Sequence, residues 1–137
     1  MATYKWGVDE TYLSDADLSA SQYCLVKTAS TTGYIDINAT AGGSVIGVLQ
    51  NDPKSRGEAA TVRIFGYTKV RANDSASSIT YGGLLKSGSD GMVEGFVQTT
   101  PGSTFSVGRA EEALSSTGSP ILIEMFLWPS TRQQDVG

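Results

Sequence analysis

Two stretches of this chain carry the same order of apolar, basic and glycine positions. The first runs through Leu25-Val26-Lys27, a turn ending at Gly33, Ser44-Val45-Ile46-Gly47-Val48-Leu49, Gly57-Glu58 and Thr61-Val62-Arg63-Ile64. The second runs through Leu84-Leu85-Lys86, a turn at Asp90-Gly91, Phe105-Ser106-Val107-Gly108-Arg109-Ala110, Gly118 and Ile121-Leu122-Ile123-Glu124. Lys27 falls against Lys86, Gly47 against Gly108 and Gly57 against Gly118. Whatever unit one block builds, the other must build as well. A chain of 137 residues accommodates both as halves of one domain sharing a core.

The units are β in character. Sixteen glycines and only four prolines are scattered among Val, Ile, Thr and Tyr runs, as in a chain of short strands and tight turns. Tyr34-Ile35-Asp36-Ile37 alternates, and Val45 to Leu49 is almost continuously apolar, as a strand buried on both faces would be. Thr61 to Arg71 gives the longest alternation. Val62, Ile64, Thr68 and Val70 fall on a core face, while Arg63, Phe65, Tyr67, Lys69 and Arg71 fall on the other. Gly66 in its middle predicts a bulge or a close backbone approach. Asp90-Gly91 has hairpin chemistry, because it readily takes the positive φ angles of primed turns. Arg109 to Leu114 reads as a strand end followed by a turn. The fold expected is therefore all-β, a compact β-sandwich or barrel of two related half-units. The half-units span about 21–72 and 79–128 of a β domain at 21–128, followed by a polar tail at 129–137.

Residues 1–20 differ from the rest. Tyr4, Trp6 and Tyr12 stand among Asp9, Glu10, Asp15 and Asp17, with Lys5 as the one base, and no alternation is sustained. Ser14 to Leu18 offers capping residues for a single helical turn. The segment is read as an extended N-terminal arm whose aromatics contact a neighbouring chain; the rival reading folds them back onto the domain's own core.

Little here points to catalysis. The chain has no histidine, which removes the usual general base near neutral pH, the Ser-His-Asp and Cys-His arrangements and His-containing zinc sites. Asp9-Glu10 and Glu111-Glu112 are adjacent pairs whose side chains diverge in a strand, and Asp15 and Asp17 lack the glycine and distal glutamate of a calcium loop. Neither Gly42-Gly43 nor Gly82-Gly83 opens a phosphate loop. The expectation is a non-enzyme with no cofactor and no metal. Cys24 is alone and reads as a small buried hydrophobe. Lys54, Arg56, Arg63, Lys69 and Arg71 form a basic stripe with Phe65 and Tyr67 interleaved, but the net charge of −4 speaks against nucleic acid as the partner. Two readings stay open for this row: a solvated charged face of a two-sided strand, or a protein-facing surface made by Phe65, Tyr67, Lys69 and Arg71. No stretch approaches a membrane-spanning length, and the N-terminus has no apolar signal region, so synthesis in the cytoplasm and no membrane contact are expected.

With these residues in view, the chain resembles the head decoration, or capsid cement, proteins of tailed bacteriophages. The resemblance lies in Asp17-Leu18-Ser19-Ala20-Ser21-Gln22-Tyr23 with Val26-Lys27, in Gly47-Val48-Leu49-Gln50-Asn51-Asp52-Pro53, in Gly57-Glu58-Ala59-Ala60-Thr61-Val62, in Gly66-Tyr67-Thr68-Lys69-Val70 and in Val107-Gly108-Arg109-Ala110. Arg71-Ala72-Asn73 departs from the small-residue and glycine turn usual there. The resemblance implies a small β-rich protein without catalytic site or cofactor. Such a protein binds the outside of the expanded head, often as a homotrimer, and reinforces it against internal DNA pressure. Its partners would be the major capsid protein and neighbouring decoration subunits, with Tyr4, Trp6 and Tyr12 as arm contacts. The reading from another class is a virion-displayed β-module binding a glycan or host surface, with Trp6, Tyr34, Tyr81 or Trp128 as a stacking platform.

Overall fold

The longest alternating run of the sequence becomes the strand that organises the molecule. In the computed structural model, which describes residues 6–73, 79–96, 105–113 and 121–132, the chain is all-β, with nine strands and no helix among those residues. The strands are β1 (Gly7–Ser14), β2 (Leu25–Thr28), β3 (Tyr34–Ile37), β4 (Gly47–Leu49), β5 (Ala59–Ala72), β6 (Leu84–Ser87), β7 (Val93–Gly95), β8 (Phe105–Ala110) and β9 (Ile121–Arg132). They hydrogen-bond in the order β1-β3-β2-β4-β5-β7-β6-β8-β9, and the additional pairings β1–β5 and β5–β9 each close a ring. The result is two small barrels with β5 as a common stave.

The repeat seen in the sequence is thus a repeat of topology. The first ring runs β1-β3-β2-β4-β5 and the second runs β5-β7-β6-β8-β9 in the same relative order. One pairing in each ring is parallel, β1 with β3 and β5 with β7, and the others are antiparallel. Lys27 pairs with Asp36 across β2 and β3 as Lys86 pairs with Glu94 across β6 and β7. Gly47 and Gly108 do the same work. A Cβ at Gly47 would run into the Arg63 carbonyl oxygen, and one at Gly108 into the Phe126 carbonyl oxygen. Arg63 therefore answers to Phe126, whereas the sequence comparison set it against Ile123. The stretch from Gly108 to Phe126 is two residues longer than that from Gly47 to Arg63, so equal spacing along the sequence sets the wrong residues against each other. Closure leaves few exposed edges, the usual liability of small β domains.

Alternation explains how one strand serves two interiors. Ala60 and Val62 face the first ring's core with Leu18, Val26, Ile35 and Leu49. Val70 and Ala72 face the second with Leu85, Val93, Val107, Ile123, Met125 and Leu127. Leu25, Val45 and Val48 belong to this second cluster although they lie in the first half of the chain. β2 and β4 thus bury one face in their own ring and the other against its neighbour, which accounts for the almost continuous apolar run from Val45 to Leu49. Where β5 changes partners stands Gly66, paired to Gly7 on β1 and to Leu127 on β9. Its φ is +108°, and a Cβ there would lie 2.5 Å from the Trp6 carbonyl oxygen and 2.6 Å from Gly7 Cα. The close backbone approach expected of this glycine is present, and the β1–β5 register shifts beside it, between Val8 and Asp9.

The stretch read as an arm is integrated into the domain where the structure describes it. Gly7 to Leu13 pair along β5 from Gly66 to Ala59, and Ser14 pairs with Ile35 on β3. The alternation that sequence inspection missed is blurred because almost all of β1 is exposed and so carries no apolar face. The capping residues close a turn instead of a helix: Asp17 Oδ1 accepts the Ser19 N–H at 3.0 Å, and Leu18 C=O accepts the Ser21 N–H at 3.0 Å. The start of the expected tail, through Arg132, continues β9.

Two outcomes are expected. Gly66→Ala and Gly108→Ala each lower stability in urea unfolding by about 1–3 kcal/mol, because backbone lies where the methyl group must go. Cys24 is buried, and desolvation pushes its thiol above the ordinary range; the Arg71 charge opposes this and the Asp90 charge adds to it. The folded state therefore holds the thiol proton more tightly than the unfolded chain does. Stability falls as pH rises past the ordinary thiol range, and alkylation at neutral pH stays slow until denaturant is added; rapid labelling of the native protein contradicts the assignment.

Candidate interaction surface

The outer face of β5 carries the residues that the core rejects. Arg63, Phe65, Tyr67, Lys69 and Arg71 alternate outward while Val62, Thr68 and Val70 are buried. Strand pairing adds neighbours to this row. Trp6 is brought alongside because its carbonyl accepts the Tyr67 N–H at 2.9 Å, and Phe126 lies opposite Tyr67 across β5 and β9. Four rings then meet. Trp6 stands 5.5 Å from Phe65 and 6.2 Å from Phe126, Phe65 stands 5.4 Å from Phe126, and Tyr67 stands 4.9 Å from Phe126. The three contacts to Phe126 are edge-to-face, the arrangement that aligns the positive ring edge with the negative ring face.

Charge is placed around these rings. The Arg109 guanidinium lies 4.8 Å from the Phe126 ring centre, and its Nε donates to Glu111 Oε2 at 2.8 Å. On β1, Asp9 accepts from Arg63, whose Nη2 lies 3.3 Å from Asp9 Oδ2, and Arg63 also donates to the Tyr67 carbonyl. The guanidinium passes over Gly7, where any side chain would collide with it. The patch is thus an aromatic centre held by two fixed arginines, with Trp6 43% exposed at its rim. A fixed ring surface of this kind suits protein recognition, since rings bury much area with little entropy to lose.

The two groups of residues singled out in the sequence are therefore partly merged. Trp6 of the supposed arm joins Phe65 and Tyr67 in one patch. Tyr4 lies outside the described residues. Tyr12 goes elsewhere: it packs against the first ring's core, and its hydroxyl donates to Glu10 Oε1 at 2.8 Å, which raises its pKa above the usual phenol value. It lines an open apolar groove of about 420 Å³ together with Ile46, Ile64, Phe65 and Pro129. Lys69 is exposed opposite Glu124. Arg71 serves the junction between the rings, its N–H donating to Tyr23 C=O at 2.9 Å and its Nε to Gln22 C=O at 3.0 Å. Of the residues considered for a stacking platform, Tyr34 has the Arg56 guanidinium 4.5 Å from its ring centre, Trp128 donates from Nε1 to Ser106 Oγ at 3.3 Å, and Tyr81 is highly exposed. Phe126 and Arg109 are the members that sequence inspection did not single out. Their signal was the alternation Leu122, Glu124, Phe126, readable only once β9 is known to lie against β5.

Compared with protein families and with curated proteins, the chain matches none. Among solved structures it is similar to the N base of the head fibre protein gp8.5 of bacteriophage phi29. The TM-score is 0.63 at 20% sequence identity, and the match covers 93% of this chain and 99% of that one. At this identity the likeness is one of fold, and it takes in both rings rather than one.

Phe126→Ala is expected to loosen the patch, because every other ring in it touches Phe126. The loss should be about 1–3 kcal/mol in chemical denaturation, short of a fully buried ring since Phe126 is half-buried. Trp6 fluorescence should shift to the red; an unchanged spectrum in a Trp128→Phe background contradicts the ring contacts.

Proposed function

We propose that this chain is a non-enzymatic virion protein that sits on the outer surface of a phage head, binds the major capsid protein and reinforces the shell. The observation that carries this reading is the fold likeness over 99% of the phi29 head fibre base, together with the decoration-protein segments in the sequence. The architecture suits the role. Two rings built on one continuous strand make a stiff body, and stiffness keeps interface entropy losses low. Many copies on a symmetric shell multiply a modest contact through avidity. A trimer of such bodies on the head is part of the proposal, as is the aromatic patch of Trp6, Phe65 and Tyr67 as the face toward the capsid.

The test is co-sedimentation of the purified protein with expanded heads, scored by occupancy and by survival of heads under heating or low salt. Saturable binding that raises the disruption temperature supports the proposal. Trp6→Ala and Phe65→Ala should each weaken binding about tenfold, the ordinary cost of removing one ring from an interface centre. Absence of binding to heads, at concentrations where the protein is folded, overturns the proposal.

A further inference from the structure

The joint between the two rings of a chain has a counterpart that the chain leaves uncovered at both ends. Inside the chain, the turn before β2 makes the joint. Its Tyr23 and Gln22 carbonyls accept from Arg71, and the Leu25 N–H donates to Gly91 C=O at 2.7 Å. The side chains of Leu25 and Val48 end in the second ring's core, both at 0% exposure.

The second ring repeats this turn before β6. Gly82 N–H donates to Ala110 C=O at 2.8 Å as Tyr23 N–H does to Leu49 C=O at 2.7 Å. Gly83 N–H reaches Thr80 C=O at 2.9 Å as Cys24 N–H reaches Ser21 C=O at 3.0 Å. Tyr23 is the one non-glycine with positive φ among the described residues, at 67°, and Gly82 in its place has φ 79°. The turn has the same form, yet nothing described in the chain covers it. Tyr81, in the place of Gln22, is 74% exposed, and Leu84, in the place of Leu25, is 40% exposed.

The other end is equally open. Within the first ring β1 holds the place that the second half of β5 holds in the second ring, with Ser14 against Ile35 answering to Ala72 against Val93. Leu13 then stands where Arg71 stands, and it is 38% exposed, with Val8 at 46%. Away from β5, the β1 edge is paired to β3 only at Leu13 and Ser14 among the described residues.

We propose that these two faces bind each other between copies. The turn carrying Tyr81 and Leu84 of one chain packs beside the end of the β1 edge at Leu13 of the next, head to tail, continuing between chains the ring-on-ring packing found within one. The occupant is a second copy because the joint already made within each chain has this form. Leu13 N–H is already held by Gly33 C=O at 2.9 Å, so the new joint is made by side chains, with Tyr81 as its aromatic anchor. Such a heterologous contact closes into a ring when its rotation divides the circle evenly. The inference deepens the oligomeric part of the function proposed above and stands apart from head binding.

The test uses the full chain. Light scattering should give a multiple of the chain mass that collapses to one for the Tyr81→Asp, Leu84→Asp double variant, which should still melt in a single cooperative transition, at a temperature that no longer rises with protein concentration. In a second measurement, a Tyr81→Cys chain is mixed with a Leu13→Cys chain, in solution and on heads. A disulfide that forms in the mixture, and with neither variant alone, supports the head-to-tail joint. A monomer in solution with no mixed disulfide on heads overturns it, and so does a disulfide within Tyr81→Cys alone, which marks a twofold face. A chain that decorates heads yet gives no mixed disulfide in solution or on heads sinks this inference alone; an oligomer that ignores heads sinks the head-binding proposal alone.

Discussion

Everything in this molecule hangs on one strand being asked to close two barrels. β5 can do so because its inward positions stay small or β-branched from Ala60 to Ala72, and because Gly66 lets the backbone change partners without a break. At that residue β1 and β9 both come within strand-pairing distance, and a side chain there would meet Trp6 and Gly7 backbone. The glycine concedes entropy in the unfolded chain, a cost of under about 1 kcal/mol, and in return two cores are served by one continuous ladder.

The interaction surface is a by-product of that arrangement. Rings that alternate outward on β5 gain Phe126 from β9 and Trp6 from the entry to β1 only because both strands flank the same stave. The arginines of the patch are tied down, Arg63 to Asp9 and Arg109 to Glu111, so their charges are directed along the surface and not spent on a wide basic field. That disposition agrees with an acidic chain whose basic stripe is a set of local struts.

Much of the fold was legible in the residues. The doubled order of strands, the two faces of Thr61 to Arg71, the turn at Asp90-Gly91 and the constraint on Gly66 all follow from alternation and backbone sterics, which are local. What escaped inspection depends on partners distant in sequence. β1 lacks a continuous apolar face because Tyr12 alone of Gly7 to Leu13 turns to the core, so nothing in that stretch announces a strand. Arg71 looked like a surface residue by alternation, and it is the reach of its side chain to Gln22 that makes it part of a joint. Phe126 became visible only through a register set by β5. The patch was therefore half readable: Phe65 and Tyr67 from their alternation, Trp6 from its oddity among acidic neighbours, and the ring that binds them together from structure alone.

A shared stave also means that the halves cannot part company. A chain of two domains joined by a linker can melt one and keep the other, or exchange one with a neighbour through an opened hinge. Here the second ring loses a wall the moment the first releases β5, and no loop separates them to act as a hinge. Amide protons on both sides of Gly66 should accordingly exchange through one common opening, and local breathing should be confined to the loops at the ring mouths.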